Sequence, residues 1–195
     1  KNNPYEMGRI DSSLMYDIVK SWEWGNSESS EIYHDPETRK NSISFRGNLH
    51  RLAKQLMADN ENQKAEEILD LSIEKMPINY FGYYSLLEPY ISTYYKLNKF
   101  NKGDDLYQKL SIKYDENLKY YSQLSNSKNS KFSIYSFAEN IITDTERYRS
   151  LLETLLKSEN NSLKSQAIKQ YISSTEFVSE LYGDYEYYTL LSPFL

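Results

Sequence analysis

Leu49-His50-Arg51-Leu52-Ala53-Lys54-Gln55-Leu56, followed by Ala65-Glu66-Glu67-Ile68-Leu69 and closed by Pro77, decides the fold. Leu49, Leu52 and Leu56 recur at steps of three and four, which places them on one face of an α-helix. Ala65, Ile68 and Leu69 do the same on a following helix. Two antiparallel helices approach closely only where side chains are small, and Ala53 and Ala65 stand 12 residues apart at the positions where that approach is needed. The arrangement fits the tetratricopeptide pattern: large-x2-Leu-small-x2-large on a first helix, Ala-x3-large on a second, and a later Pro. A second, degenerate unit follows. Leu87-x2-Tyr90-Ile91-x2-Tyr94 supplies the first helix, with bulky Ile91 at the small position, and Gly103-x3-Tyr107 supplies the second. From Ala65 to Gly103 is 38 residues. That exceeds the usual period of about 34 and implies an insertion of about four residues after Pro77. The predicted fold is therefore all-α. It is a tetratricopeptide-like α-α hairpin stack (an α-solenoid fragment) with an N-terminal capping helix and a long C-terminal helical pair.

Working outward, Asp11 is an N-cap for a helix carrying Leu14, Met15, Ile18, Val19 and Trp22, closed by Gly25 after Trp24. Residues 26–36 read as a loop. Helices are predicted over about 37–58, 63–76, 80–97 and 102–124. Pro89 should kink the third of these, and a break is expected near Asp115. The polar run 125–131 reads as a linker. Beyond it, Ile134, Ala138, Ile141, Thr145, Tyr148, Leu152 and Leu155 define one long amphipathic helix, and a last helix spans about 163–182, ended by Gly183. The tail 185–195 is aromatic and apolar without clear period. Residues 1–125 thus hold the cap and two hairpins, and 126–195 a helical extension.

Composition narrows the function. Hydrophobic residues are 39% and charged residues 26%, which indicates a globular chain. A net charge of -5 without a basic cluster argues against nucleic acid and anionic membrane surfaces as partners. No apolar run approaches the ~20 residues needed to cross a bilayer, so direct insertion is not expected. The chain opens Lys1-Asn2-Asn3-Pro4-Tyr5, without an apolar leader, as an excised segment or a mature product would. Without Cys, disulfide and thiol chemistry are excluded. His34 and His50 lie 16 residues apart and make no metal pair of ordinary spacing. There is no Gly-rich phosphate loop and no Gly-x-Ser-x-Gly elbow. Glu66-Glu67 and Asp104-Asp105 read as solvated helix faces. No cofactor, metal or catalytic residue is expected.

Two groups remain as candidate binding residues. By repeat register, His50, Lys54 and Met57 of the first unit, with Glu88, Ser92 and Tyr95 of the second, face the concave side of a solenoid. Charge, sulfur and aromatic surface there suit a peptide. Trp22, Trp24, Tyr33 and Arg39 form the other group, read either as a cap over the open end of the first helix pair or as an aromatic platform for glycan or peptide. The 20 Tyr, with doublets at 83–84, 94–95, 120–121 and 187–188, admit the same two readings: half-buried packing or an aromatic face.

Several short stretches together resemble a known family: Gly8-Arg9-Ile10-Asp11, Met15-Tyr16-Asp17, Trp22-Glu23-Trp24-Gly25, Tyr33-His34-Asp35 with Arg39, Phe45-Arg46, Leu52-Ala53, Ala65–Leu69, Met76-Pro77 and Lys119-Tyr120-Tyr121-Ser122-Gln123-Leu124. They resemble the soluble C-terminal region of bacterial multi-pass membrane proteins that are similar to protein O-mannosyltransferases, a region named only as a domain of unknown function. Arg39-Lys40 stands where that family has a doubled Arg. The resemblance covers roughly residues 8–125. It implies that glycosyl-transfer chemistry belongs to a membrane part outside this chain. It further implies an extracytoplasmic (periplasmic) location and a noncatalytic accessory role, with the parent's membrane domain, a protein or peptide, or a glycan as partner. The other expectation is a free-standing tetratricopeptide-type module that binds a protein or peptide.

Overall fold

The computed structural model describes residues 8, 10–125 and 134–194, and every regular element among them is a helix. The chain divides into two compact units, Lys1–Leu97 and Asn98–Leu195. The division falls between the helices that carry Ile91 and Gly103, upstream of the 125/126 boundary expected from composition. The linker expected over 125–131 lies, beyond Ser125, outside the described residues.

In the first unit, α1 (Ser12–Lys20) opens with the Asp11 carboxylate accepting from the Leu14 amide at 3.1 Å. It stops at Lys20, one turn short of the expected Trp24. The Ser21 hydroxyl donates to the Ile18 carbonyl at 2.7 Å and the Trp22 amide to that of Val19 at 3.2 Å, which curls the chain off the helix axis. α2 (Pro36–Ala58) begins with Asp35 accepting from the amides of Glu37 and Thr38, and Pro36 follows where its missing N–H costs nothing. Its buried stripe is Ser42, Arg46, Leu49, Leu52, Ala53 and Leu56. α3 (Asn62–Lys75) answers with Ala65, Ile68, Leu69 and Ser72, and α2 with α3 is the most extensive helix pairing in the chain. Ala53 and Ala65 are both fully buried.

The single helix expected over 80–97 does not form. α4 (Ile78–Phe81) ends at Gly82 and Tyr83, which take φ of 65° and 44°, a left-handed pair no helix can contain. A 3₁₀ turn, Tyr84–Leu87, leads into α5 (Glu88–Lys96). Pro89 therefore sits in a first turn and bends nothing. α5 buries Tyr90, Ile91, Thr93, Tyr94 and Tyr95, so most of its circumference is core.

In the second unit, α6 (Phe100–Ser125) runs unbroken through Asp115. That carboxylate does not compete for its own backbone. It takes Lys119 Nζ at 2.6 Å and the Ser174 hydroxyl. A 3₁₀ turn, Ile134–Phe137, precedes α7 (Ala138–Leu155); α8 (Asn161–Thr175) follows, capped by the Asn160 side chain accepting from the Leu163 amide. The helix expected to reach Tyr182 ends at Thr175, and a 3₁₀ turn and α9 (Ser179–Tyr182) replace its last part. The apparently aperiodic tail is helical: α10 (Asp184–Leu191) buries Tyr187 and Leu191, an i, i+4 pair too short to show as a period. Aromatic rings run through this core, Tyr114 stacking on Tyr148 at 5.8 Å, Tyr148 meeting Tyr171 edge-on at 5.2 Å, and Tyr171 meeting Phe194 at 5.7 Å.

Ala65→Leu should overpack the α2–α3 contact and cost about 1–3 kcal/mol, read as a lowered midpoint in urea denaturation. An unchanged midpoint would mean that the two alanines do not mark the close approach.

Candidate functional site

The segment between α1 and α2 is irregular but tied down at each step. Gly25 and Asn26 both take left-handed backbone, φ 58° and 56°, and the Ser27 amide closes the turn on the Trp24 carbonyl at 3.1 Å. The Ser27 hydroxyl donates to the Lys75 carbonyl at the end of α3, at 2.6 Å. Lys75 Nζ in turn meets Glu28 at 2.6 Å. That pair lowers the Glu28 pKa and raises that of Lys75, chiefly through the shared hydrogen bond. His34 Nε2 lies 2.9 Å from the Ser27 carbonyl, and its ring rests on Phe81 with centroids 4.5 Å apart. Asp35 then starts α2.

This path brings Trp22 and Trp24 against Phe45 of α2. The centroids are 5.5 Å apart for Trp22–Trp24 and for Trp22–Phe45, and 6.1 Å for Trp24–Phe45, with planes inclined at 62°, 73° and 59°. This aromatic cluster, with His34, Phe81 and Met76, lines a cavity of about 670 Å³. That size and its predominantly apolar lining belong to ligand sites. Ile32 and Tyr33 stand at its edge, Tyr33 being 83% exposed. Glu23, Thr38, Asn41 and Ser42 contribute its polar groups.

Of the four residues expected to act as cap or platform, Trp22, Trp24 and Tyr33 converge on this cavity. Arg39 does not line it; it is half-buried, and its Nε has no hydrogen-bond partner among the described residues. The concave-face set is less open than expected. Lys54 is exposed, and Met57, Glu88 and Ser92 are half-buried, Ser92 donating to the Pro89 carbonyl. Tyr95 is buried, because α5 is core around most of its circumference. His50 is packed rather than presented: it stacks on Tyr90 at 5.2 Å, with Nε2 2.9 Å from Thr93 Oγ1. Thr93 Oγ1 donates to the Pro89 carbonyl at 3.0 Å, so the imidazole donates to it through Nε2–H. Burial above all, then the nearby Lys54 and Lys96 charges, push its pKa down to about 4.

The residue the sequence concealed is Arg46. It is fully buried, and among the described residues no carboxylate pairs with it and its Nε has no hydrogen-bond partner. Its guanidinium donates to the carbonyls of Gly82 at 2.5 Å, Tyr83 at 3.1 Å and Met76 at 2.7 Å. Burial lowers its pKa to about 10. Its own carbonyl accepts from the Tyr90 hydroxyl at 2.8 Å, which also meets Ser72 Oγ at 2.9 Å. Arg46 adjoins Phe45 in sequence and holds the carbonyl of Met76, so it fixes two sides of the cavity. An arginine nearly three turns into a helix looks from sequence like a surface cation. Only its place on the Ser42–Leu49 stripe marks it.

Elsewhere in the second unit a polar cavity of about 660 Å³ is lined by Lys119, Ser122, Gln123, Ser173, Ser174 and Phe177, among others. Among the described residues no group of three or more His, Cys, Asp or Glu is placed to hold a metal ion. No family model, no characterised protein and no solved structure matches this chain.

Two outcomes follow. Arg46→Met should take a donor from the Met76, Gly82 and Tyr83 carbonyls, of which only Tyr83's keeps another, the Leu86 amide, and destabilise the first unit by about 1–3 kcal/mol, and Arg46→Lys should not restore it, since an ammonium lacks the planar fork; both are read by chemical denaturation. His50 has a folded pKa below its unfolded one, so its contribution is complete above about pH 6.5 and is lost as pH falls towards 4. This corresponds to about 3 kcal/mol at most. Stability measured from pH 7 to pH 4.5 should fall less steeply in His50→Gln than in the natural chain.

Proposed function

We propose that this chain is a noncatalytic binding module that holds a protein or glycan in the aromatic-walled cavity of its first unit. The observation that carries this reading is the convergence of Trp22, Trp24, Phe45 and Tyr33 on one cavity of about 670 Å³, in a segment pinned by its own hydrogen bonds. Half-buried tryptophans and an exposed tyrosine at an apolar recess are what binding hot spots are made of. The α2–α3 pair, with Ala53 and Ala65 buried, supports a tetratricopeptide-like hairpin as the scaffold. The site then lies at the capped end of that hairpin and not along a concave groove. Resemblance supports the rest of the proposal: the module is an extracytoplasmic accessory of a membrane-anchored glycosyltransferase-like protein, whose chemistry resides outside residues 1–195. Among the described residues no helix is long and apolar enough to cross a membrane, in keeping with a segment that does not itself insert.

The test is a turnover assay of the isolated chain against lipid-linked sugar donors and glycoside substrates, beside the full parent protein. No turnover by the isolated chain is expected. Turnover that disappears on changing one carboxylate, such as Glu23→Gln, would overturn the noncatalytic reading.

A further inference from the structure

We propose that the aromatic cavity takes a cationic side chain, an arginine or lysine flanked by apolar residues, presented by an exposed peptide segment of a partner protein. This deepens the binding-module reading and rests on it. The first observation is charge. Residues 21–38, which build most of the cavity, contain Glu23, Glu28, Glu31, Asp35 and Glu37 and no Lys or Arg. Three of these carboxylates are already engaged: Glu28 by Lys75, Glu37 by Lys40 at 2.7 Å, and Asp35 by the start of α2. Glu23 and Glu31 have no ion pair among the described residues, and Glu23 lines the cavity. No lysine or arginine lines it. An anionic ligand would meet only repulsion there, whereas a cation gains Glu23 and the faces of the tryptophans.

The second observation is the disposition of the rings. Trp22, Trp24 and Phe45 meet at 59° to 73°, so no two of the rings are stacked in parallel. A cation needs only one ring face within about 6 Å of its charge. The third observation is hydrogen-bonding capacity. The hydroxyls of Ser27, Thr38 and Ser42 are spent on Lys75 O, Asp35 Oδ2 and Arg39 O, and His34 Nε2 on Ser27 O. Glu23 and Asn41 remain, together with the Tyr33 hydroxyl and the two indole N–H groups. Glu23 is the one charged acceptor among them. A basic side chain with apolar neighbours asks for one carboxylate, ring faces and apolar walls, which is what the cavity offers.

The chain's two tryptophans both line the cavity, so intrinsic fluorescence reports occupancy directly. The probes are terminally blocked Leu-Arg-Leu, Leu-Gln-Leu and Leu-Glu-Leu, together with mannotriose. Leu-Arg-Leu is expected to change the emission saturably and most tightly, Leu-Glu-Leu least, and the preference should shrink in 0.5 M salt (roughly a 4 Å Debye length). Glu23→Gln should weaken the arginine peptide about two- to fivefold. Tyr33→Ala, at a side chain too exposed to be needed for folding, should weaken it about fivefold or more. Far-UV circular dichroism of each variant confirms the fold. Equal binding of the arginine and glutamine peptides, or an affinity unmoved by Glu23→Gln, would overturn the cation assignment. A response to mannotriose alone would also overturn it while leaving the binding module standing. Silence towards all four probes would overturn the cation proposal, and the noncatalytic reading is then judged separately by its turnover assay.

Discussion

The first unit depends on one unusual constraint, a buried guanidinium that meets no carboxylate among the described residues. Arg46 must find acceptors for its N–H groups or bear the full cost of desolvation. Nη1 and Nη2 find them in three carbonyls, at the end of α3 and at the pair Gly82–Tyr83, while Nε has no partner among the described residues. The Tyr83 carbonyl also accepts from the Leu86 amide at 3.2 Å, so the arginine is tied to the start of the 3₁₀ turn as well. Tyr90, donating to the Arg46 main-chain carbonyl, and Ser72 extend the bond chain to α5 and α3, so four elements are joined through one residue. The cavity inherits that rigidity. Phe45 precedes Arg46, Met76 is held by it, and Phe81 sits at the turn it clasps.

Much of this architecture was legible in the residues. Period 3.6 placed α2 and α3 to within a residue and the end of α7 at Leu155, whose expected first turn, Ile134–Phe137, is 3₁₀; Asp11 marked the start of α1 and caps it. The failures have identifiable causes. Pro89 suggested a kink because proline interrupts a helix interior, but the true interruption is the Gly82–Tyr83 pair, and a tyrosine at φ 44° gives no local signal. Asp115 suggested a break because its competition with the backbone is visible in sequence, while its distant partner Ser174 is not. The concave-face residues were assigned from the register of an idealised repeat, which cannot register that α5 is buried almost all round. Trp22, Trp24 and Tyr33 were found as a cluster because aromatics next to a glycine turn are conspicuous. Phe45, Phe81 and His34 joined them only through the fold.

The site also shows where a short helical stack has room to specialise. Helix faces in the first unit are consumed by packing, and the irregular segment between α1 and α2 carries what is left for recognition. Such a segment is usually soft. Here Ser27, Glu28, His34 and Asp35 fasten it at successive points to α3, α4 and α2, so ordering entropy has been met before any ligand arrives.

The reliance on tyrosine has a separate consequence, at the alkaline end of the pH scale. Tyr90, Tyr94, Tyr148 and Tyr171 are buried, and burial pushes each phenol's pKa upward, to about 12 for Tyr90 and further for the others. An unfolded phenol ionises near 10. Above that pH the unfolded chain sheds these protons while the folded chain must keep them, so each buried tyrosine's contribution is whole below about pH 10 and drains away as hydroxide rises. Leucine or phenylalanine in the same places would carry no such dependence. By building both cores from tyrosine, the chain ties the upper limit of its folded range to the acidity of a phenol.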